Sequence, residues 1–344
     1  MSGEYFVLDG ALALALPTRL GQTMRVSEGG IEGLLLWKSR DDGGKIWFEG
    51  EFELPGLSYI KGSDDPTGQR LQQILESICT LSPTFLLNQT CLSVETRLDF
   101  PRAWGLGSSS TLIYLFAQWA DVNPFQLLKS TFGGSGYDVA AAGGEGPFLY
   151  RTGNPPEVLP CDFRPPFASQ LYFVYLGNKQ DSREGIARYR ERQGSVDEHV
   201  LEISQLTQSM LDCTDLLTWD KLLREHEALV GNFLGLPRAK ELHFPDYWGE
   251  LKSLGAWGGD FALASSERTE EETRAYFNEK GFSVFLPYQS LILLGLLTQQ
   301  PNNPTTPLHS PCLLQLVRRH RHPHTGRKSQ HQAILGEHPG ARAL

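Results

Sequence analysis

The run Pro101-Arg102-Ala103-Trp104-Gly105-Leu106-Gly107-Ser108-Ser109-Ser110-Thr111 places a glycine-serine loop between two segments of different periodicity. Upstream, Leu92 to Phe100 alternates apolar and polar residues as a half-buried strand does, and Pro101 breaks the pattern. Downstream, Thr111 to Ala120 is apolar and free of breakers, which predicts a buried helix opening directly from the glycines. A strand, a glycine turn and a helix N-terminus in that order make an anion-binding geometry. Glycines let the backbone approach a polyphosphate, successive amides point at the anion, and the helix dipole adds partial positive charge. Hydroxyls of Ser108, Ser109 and Ser110 can hold phosphate oxygens or Mg²⁺. The string is not a Walker loop, because no Gly-Lys-Ser/Thr follows the required spacing. Taken alone, it fits a plain structural turn equally well.

At 344 residues the chain can bury a sizeable core in one large or two moderate domains, and two is the expectation. Its 40% hydrophobic and 21% charged residues are those of a globular protein. A net charge of -9 argues against nucleic-acid binding, which needs a basic face. The five cysteines are scattered and show no CxxC spacing, so they read as buried thiols rather than a disulfide or zinc framework. No stretch is apolar for long enough to span a bilayer and no signal-peptide pattern opens the chain, so a cytoplasmic protein, monomer or homodimer, is expected.

Tyr5 to Leu8 and Ala11 to Leu16, separated by Asp9-Gly10, predict paired strands, and residues 31 to 53 continue as strands. Leu71, Ile74, Leu75 and Ile78 recur at helical spacing. Pro165-Pro166 closes a loop-rich stretch, and Leu171 to Leu176 reads as the first strand of a second unit. The boundary is therefore placed at 165/166. In that unit Val200, Ile203, Leu206 and Met210 form one helical stripe. Leu222, Leu223, His226, Leu229 and Val230 form another, which makes His226 a core or boundary residue rather than a catalytic one. A charged helix over 268–280 and a strand from Phe282 to Leu286 close the unit near residue 296. Residues 297–344 hold most of the histidines, among them His320, His322 and His324, and are rich in proline and basic residues. They are expected to be unstructured and non-native in character rather than a metal site.

Three further strings flank or follow the glycine-serine loop in a telling order. Gly3-Glu4-Tyr5-Phe6-Val7-Leu8-Asp9-Gly10-Ala11 opens the chain, Gly133-Gly134-Ser135-Gly136-Tyr137-Asp138-Val139-Ala140 follows the loop's helix, and Gly255-Ala256-Trp257-Gly258-Gly259-Asp260 lies near the end. Together they resemble the motifs of the GHMP kinases, the superfamily of galactokinase, homoserine kinase, mevalonate kinase and phosphomevalonate kinase. The loop matches that family's Pro-x3-Gly-Leu-Gly-Ser-Ser pattern, and the Gly-Tyr-Asp-Val-Ala string is similar to a bacterial subgroup called the GYDIA kinases. Within the superfamily the combination is most like phosphomevalonate kinases, with mevalonate kinases next.

The resemblance, spanning about residues 1 to 290, implies an α+β fold in two parts. These are an N-terminal mixed α/β nucleotide-binding domain over 1–165 and a ferredoxin-like C-terminal domain over 166–296, with the active site in the cleft between them. It implies ATP and Mg²⁺ as cofactors and a small-molecule acceptor, mevalonate or phosphomevalonate. ATP would lie on Gly105, Leu106, Gly107, Ser108, Ser109 and Ser110, with Gly255, Gly258 and Gly259 closing over the phosphates and Ser108 and Ser109 offering hydroxyls to the metal. Asp138 would take or orient the acceptor's hydroxyl proton. Glu4, Ser135 and Gly136 would border the acceptor. Lys179, Ser182 and Arg183 are candidates for an acceptor carboxylate, and they read as well as an exposed charged turn.

The chain also departs from the pattern. Relatives carry Gly-Lys on a strand just before the Gly-Glu-Tyr element. Here the sequence opens Met1-Ser2-Gly3, so that lysine has no counterpart and an edge strand is expected to be missing, which reads as truncation. The acid that helps mevalonate kinases bind Mg²⁺ is also absent around Leu127. Two alternatives follow: a nucleotide-binding protein of the same fold that has lost turnover, and an ATP-dependent decarboxylase of the mevalonate-diphosphate type.

Overall fold

The computed structural model describes residues 1–177, 182–192, 195–255, 257, 260–295 and 312–317, with the backbone alone of Ser182 and Arg183. Its first sheet element is β1 (Ala13–Ala15), followed by β2 (Gln22–Glu28), β3 (Leu34–Arg40), β4 (Ile46–Glu53) and β5 (Tyr59–Gly62). Helix α1 (Asp65–Leu81) precedes β6 (Cys91–Leu98), which runs into the glycine-serine loop and α2 (Ser108–Ala120). Helices α3 (Pro124–Thr131) and α4 (Tyr137–Gly143) lead to the hairpin β7 (Phe148–Arg151) and β8 (Glu157–Pro160).

The second half begins with β9 (Leu171–Tyr175) and continues through α5 (Ser182–Arg190), α6 (Asp197–Leu211), α7 (Leu216–Leu234) and α8 (Ala239–His243). It ends with β10 (Leu251–Ser253), β11 (Phe261–Ser265), α9 (Glu270–Glu279), β12 (Phe285–Pro287) and α10 (Tyr288–Leu291). A last strand, β13 (Cys312–Val317), returns to the first half.

Three sheets result: β13-β2-β6-β3-β4-β5, β1-β7-β8 and β10-β11-β9-β12. The last is antiparallel throughout, and its strand order with helices after β9 and β11 is the ferredoxin-like arrangement. In the six-stranded sheet, apolar residues at alternate positions of β2, β3, β4 and β6 face α1 and α2. Trp37 stacks on Phe116 there at 5.3 Å, and each such fully buried side chain contributes roughly 1.5–3 kcal/mol. Helix starts are set locally. Asp64 caps α1, Asn123 caps α3 and Asp215 caps α7, each accepting backbone amides, at about 1 kcal/mol apiece.

Several expectations are corrected. Tyr5 to Leu8 is not a strand: Phe6–Asp9 forms a 3₁₀ turn ended by Gly10 at φ 92°. Its apolar side chains diverge, Phe6 into a core with Tyr189, Ile203 and Val230, and Val7 against Ala13 and Tyr150. The first residues of the chain therefore pack on helices of the second half. Six residues of the segment expected to be unstructured, Cys312–Val317, are strand β13, paired in parallel with β2. Alternation buries Cys312 and half-buries Leu314 while Leu313 faces outward, and Leu316, on the Cys312 face, is exposed near the strand's end. An edge strand beside β2 is thus present, supplied from the far end of the sequence. His320, His322 and His324 lie outside the described residues.

Candidate active site

β6 delivers the chain to Pro101, a short 3₁₀ turn over Arg102–Trp104 follows, and Gly105 and Gly107 then take left-handed conformations at φ 67° and 78°. Gly107 is the N-cap of α2 and no side chain caps the helix. The first amides of α2, those of Ser108, Ser109 and Ser110, therefore have no intrahelical acceptor and no capping oxygen, the condition in which a helix start takes an anion. The loop is braced on both sides. Thr111 donates to Gln22 Oε1 at 2.7 Å, Tyr175 donates to the Ala103 carbonyl at 2.8 Å, and Trp104 meets Phe261 edge-on at 5.5 Å. Gly105 has a second reason to be glycine: a Cβ there would collide with the carboxyl of Asp260. Asp260 is nearly buried, and its φ of 44° is unusual for a residue with a side chain.

Asp138 lies in the first turn of α4, behind Gly136 at φ 84°. A Cβ on Gly136 would meet the Tyr150 hydroxyl at 2.8 Å, and that hydroxyl donates to the Ser135 carbonyl at 2.5 Å. Tyr137 donates to the Leu14 carbonyl at 2.8 Å, fixing α4 to β1. Asp138 is exposed to the cleft, and desolvation by the protein packed around it raises its carboxyl above the usual range, with the Met1 amine partly offsetting the effect.

One cleft of about 310 Å³ joins these features. Its wall includes Gly105, Leu106, Gly107 and Thr111 of the glycine turn and α2, Ser135, Tyr137 and Asp138 at the start of α4, and Glu4, Gly255 and Asp260. Ser108, Ser109 and Ser110 follow on the first turn of α2 and are not among the lining residues, with Ser109 exposed. Gly136 stands behind the wall as the N-cap of α4. Lys179, Gly258 and Gly259 lie outside the described residues. Ser182 begins α5, whose Ile186 reaches the cleft. Among the described residues lining the cleft there is no lysine or arginine.

Behind Glu4 lies a buried polar cluster in which Lys252 and Glu227 were not singled out by pattern reading. Lys252 of β10 is wholly buried, and its Nζ donates to Glu4 Oε1 at 2.5 Å. Lys252 is the main force holding Glu4 down to about 2 against the opposing effect of burial. His226, fully buried as its stripe predicts, has its Nε2 3.4 Å from Glu4 Oε2 and is pushed down to about 3 by burial, so it is neutral. Glu227 beside it is pushed up to about 8 by burial. A lone lysine inside Leu251-Lys252-Ser253-Leu254 was the available signal, since lysine is almost never fully buried unless paired.

No family model matches the chain and no curated protein matches it by sequence. The architecture does match solved structures: the chain has the fold of the GHMP-superfamily kinases. It is similar to the Methanococcus jannaschii mevalonate kinase at TM-score 0.58 and 16% identity, covering 81% of this chain and 91% of that one. A Streptococcus pneumoniae phosphomevalonate kinase, solved with phosphomevalonate and AMPPNP, matches at 0.58 and 15% over 83% and 95%. A Lactococcus lactis galactokinase, solved with galactose, matches at 0.58 and 14% over 86% and 90%.

Proposed function

We propose that the chain is an ATP-dependent kinase that transfers the γ-phosphoryl group to a hydroxyl of a small acceptor of the mevalonate or phosphomevalonate class. The observation that carries this reading is that the glycine turn Gly105 to Gly107, which leads into the uncapped start of α2, and Asp138 line one cleft. Phosphoryl transfer requires in-line placement, neutralised phosphate charge and removal of the acceptor's proton. The amides after Gly107 would hold the phosphates, and the serine hydroxyls would stabilise them further. Asp138 would accept the proton from the attacking oxygen, for which a carboxyl raised above its usual range is suited. Gly255, at φ 71°, begins the loop that would cover the phosphates.

Mg²⁺ suits this donor set. Ser108 and Ser109 carry hydroxyls beside the loop, Asp138 and Asp260 line the same cleft, and nucleotide phosphates complete the shell of such an ion. When bound, it would neutralise phosphate charge. Among the described residues no cluster of three metal-ligating side chains exists, so a cage made by protein alone is not part of this reading.

The test is an ADP-release assay with ATP-Mg²⁺ against mevalonate, phosphomevalonate, homoserine and galactose. Acceptor-dependent ADP with either of the first two is expected. ADP only with galactose or homoserine would move the acceptor class. Nucleotide binding with no release for any of the four would favour a binding protein, and release accompanied by carbon dioxide from mevalonate diphosphate would favour a decarboxylase.

A further inference from the structure

Strand β13 comes from the far end of the sequence, yet it fills the edge of the six-stranded sheet whose β6 leads into the glycine-serine turn. Its first residue, Cys312, pairs with Gln22 of β2, and Gln22 pairs on its other side with Leu98, the last residue of β6. After Asp99 and Phe100 the chain reaches Pro101 and the turn. The row Cys312, Gln22, Leu98 is therefore the end of the sheet from which the turn departs. The Cys312 thiol lies within electrostatic reach of Asp99 and of Tyr114 on α2, so β13 abuts both the strand end and the helix that flank the turn.

Gln22 carries this row to the cleft. It is 4% exposed, and its Oε1 accepts the Thr111 hydroxyl at 2.7 Å. The same hydroxyl is 3.1 Å from the Ser108 carbonyl, and the Thr111 amide donates to the Gly107 carbonyl at 2.9 Å. Thr111 itself lines the cleft. A buried amide oxygen without a donor is costly, so this pair holds the first turn of α2, whose uncapped amides form the candidate phosphate site. β13 in turn keeps Gln22 inside the sheet. Cys312 and Leu314 join the core packed against α1 and α2, with Leu314 beside Met24 in register. Without the strand, β2 would be an edge with open backbone groups.

We propose that β13 serves the nucleotide site at one remove: it holds Gln22, Gln22 holds Thr111, and Thr111 sets the first turn of α2, so strand docking and phosphate binding favour one another. The ligand is the polyphosphate of a nucleoside triphosphate, and Gln22 is a positioning residue that does not touch it. The assignment rests on the kinase reading for the identity of that ligand. Coupling of this kind is reciprocal: the factor by which undocking weakens nucleotide binding is the factor by which bound nucleotide suppresses opening of β13.

The experiment uses the full chain and measures affinity for a non-hydrolysable ATP analogue with Mg²⁺, the alkylation rates of Cys312 and Cys213, and the thermal midpoint. Cys213 is buried in the second half and reports unfolding that does not involve β13. In wild type, saturating analogue should slow alkylation of Cys312 about tenfold, a coupling of the size that one buried hydrogen bond supplies, and Cys213 much less. Leu314→Asp places a charge against the core, so Cys312 should react faster and the analogue bind about tenfold more weakly. Leu313→Asp, on the outward face, should change neither. Gln22→Leu should leave Cys312 slow to react but weaken analogue binding and abolish the protection that the analogue gives. A strand with a packing role alone would show faster Cys312 alkylation in Leu314→Asp at wild-type affinity, and that result overturns the proposal. Should Leu314→Asp fail to fold, wild type decides: Cys312 alkylation unchanged by saturating analogue, or slowed no more than that of Cys213, overturns it as well. A wild type that binds no nucleotide overturns the kinase reading instead, an outcome distinct from binding that leaves Cys312 unprotected.

Discussion

Glu227 shows most clearly how single residues in the buried cluster behind Glu4 pull against one another. Burial raises its carboxyl to about 8 from 4.5, although Lys252 and the Ser253 amide both act to lower it. The folded state therefore holds a proton that the unfolded chain releases. The linked stability is fully present below about pH 4.5, is lost as pH rises towards 8 and changes no further above that. Glu227→Gln keeps an acceptor for the Ser253 amide and removes the ionisation. Thermal midpoints of wild type should accordingly fall relative to Glu227→Gln as pH is raised from 5 to 8, and parallel curves for the two proteins would show that Glu227 is already ionised in the fold. His226 and Glu4 act in the opposite sense at lower pH. Their depressed values remove stability as pH falls from 6.5 through 3 and from 4.5 through 2, respectively, in both proteins.

At the scale of elements, long periodic segments were legible and short ones were not. The stripe Leu71, Ile74, Leu75, Ile78 is the buried face of α1, and the apolar run after the glycine-serine loop is α2. Tyr5 to Leu8 misled because four apolar residues carry no period, and the positive φ values of Gly3, Tyr5 and Gly10 turn the chain instead. Lys252 left only the faint signal of a lone lysine between leucines for a related reason: a three-residue strand gives no pattern from which its buried partner could be read. The glycines of the site were legible, since left-handed turns at Gly105, Gly107 and Gly136 leave a signature in composition, whereas the contact of Asp260 with Gly105 joins residues far apart in sequence. Strand β13 was hidden by averaging, its six residues lying within a long histidine- and proline-rich stretch. Its docking has a chemical consequence. Cys312 is 3% exposed and burial pushes its thiol up to about 12, so almost no reactive thiolate forms at pH 8. Cys312 should alkylate with iodoacetamide far more slowly than in the denatured chain, as read by peptide mass spectrometry. Modification at the denatured rate would mean that β13 is not held against β2.

Across the whole molecule, the cleft exists because elements distant in sequence converge. The glycine-serine loop and α4 come from the first half, Gly255 and Asp260 from the second, and the opening residues cross over to pack on α6 and α7. Trp104, Tyr175 and Phe261 join the loop to the ferredoxin-like sheet, so the glycine-serine turn is held by both halves. Among the described residues no helix is long and apolar enough to cross a membrane. The central claim is that the glycine turn of this cleft holds phosphate while Asp138 in the same cleft takes a proton. It is tested most directly by following label from γ-³²P-ATP into the acceptor with wild type and Asp138→Asn, alongside nucleotide affinity for both. The account predicts labelled acceptor with wild type, a loss of at least about a hundredfold in turnover with Asp138→Asn, and nucleotide affinity little changed. Label transferred at wild-type rate by Asp138→Asn would contradict it.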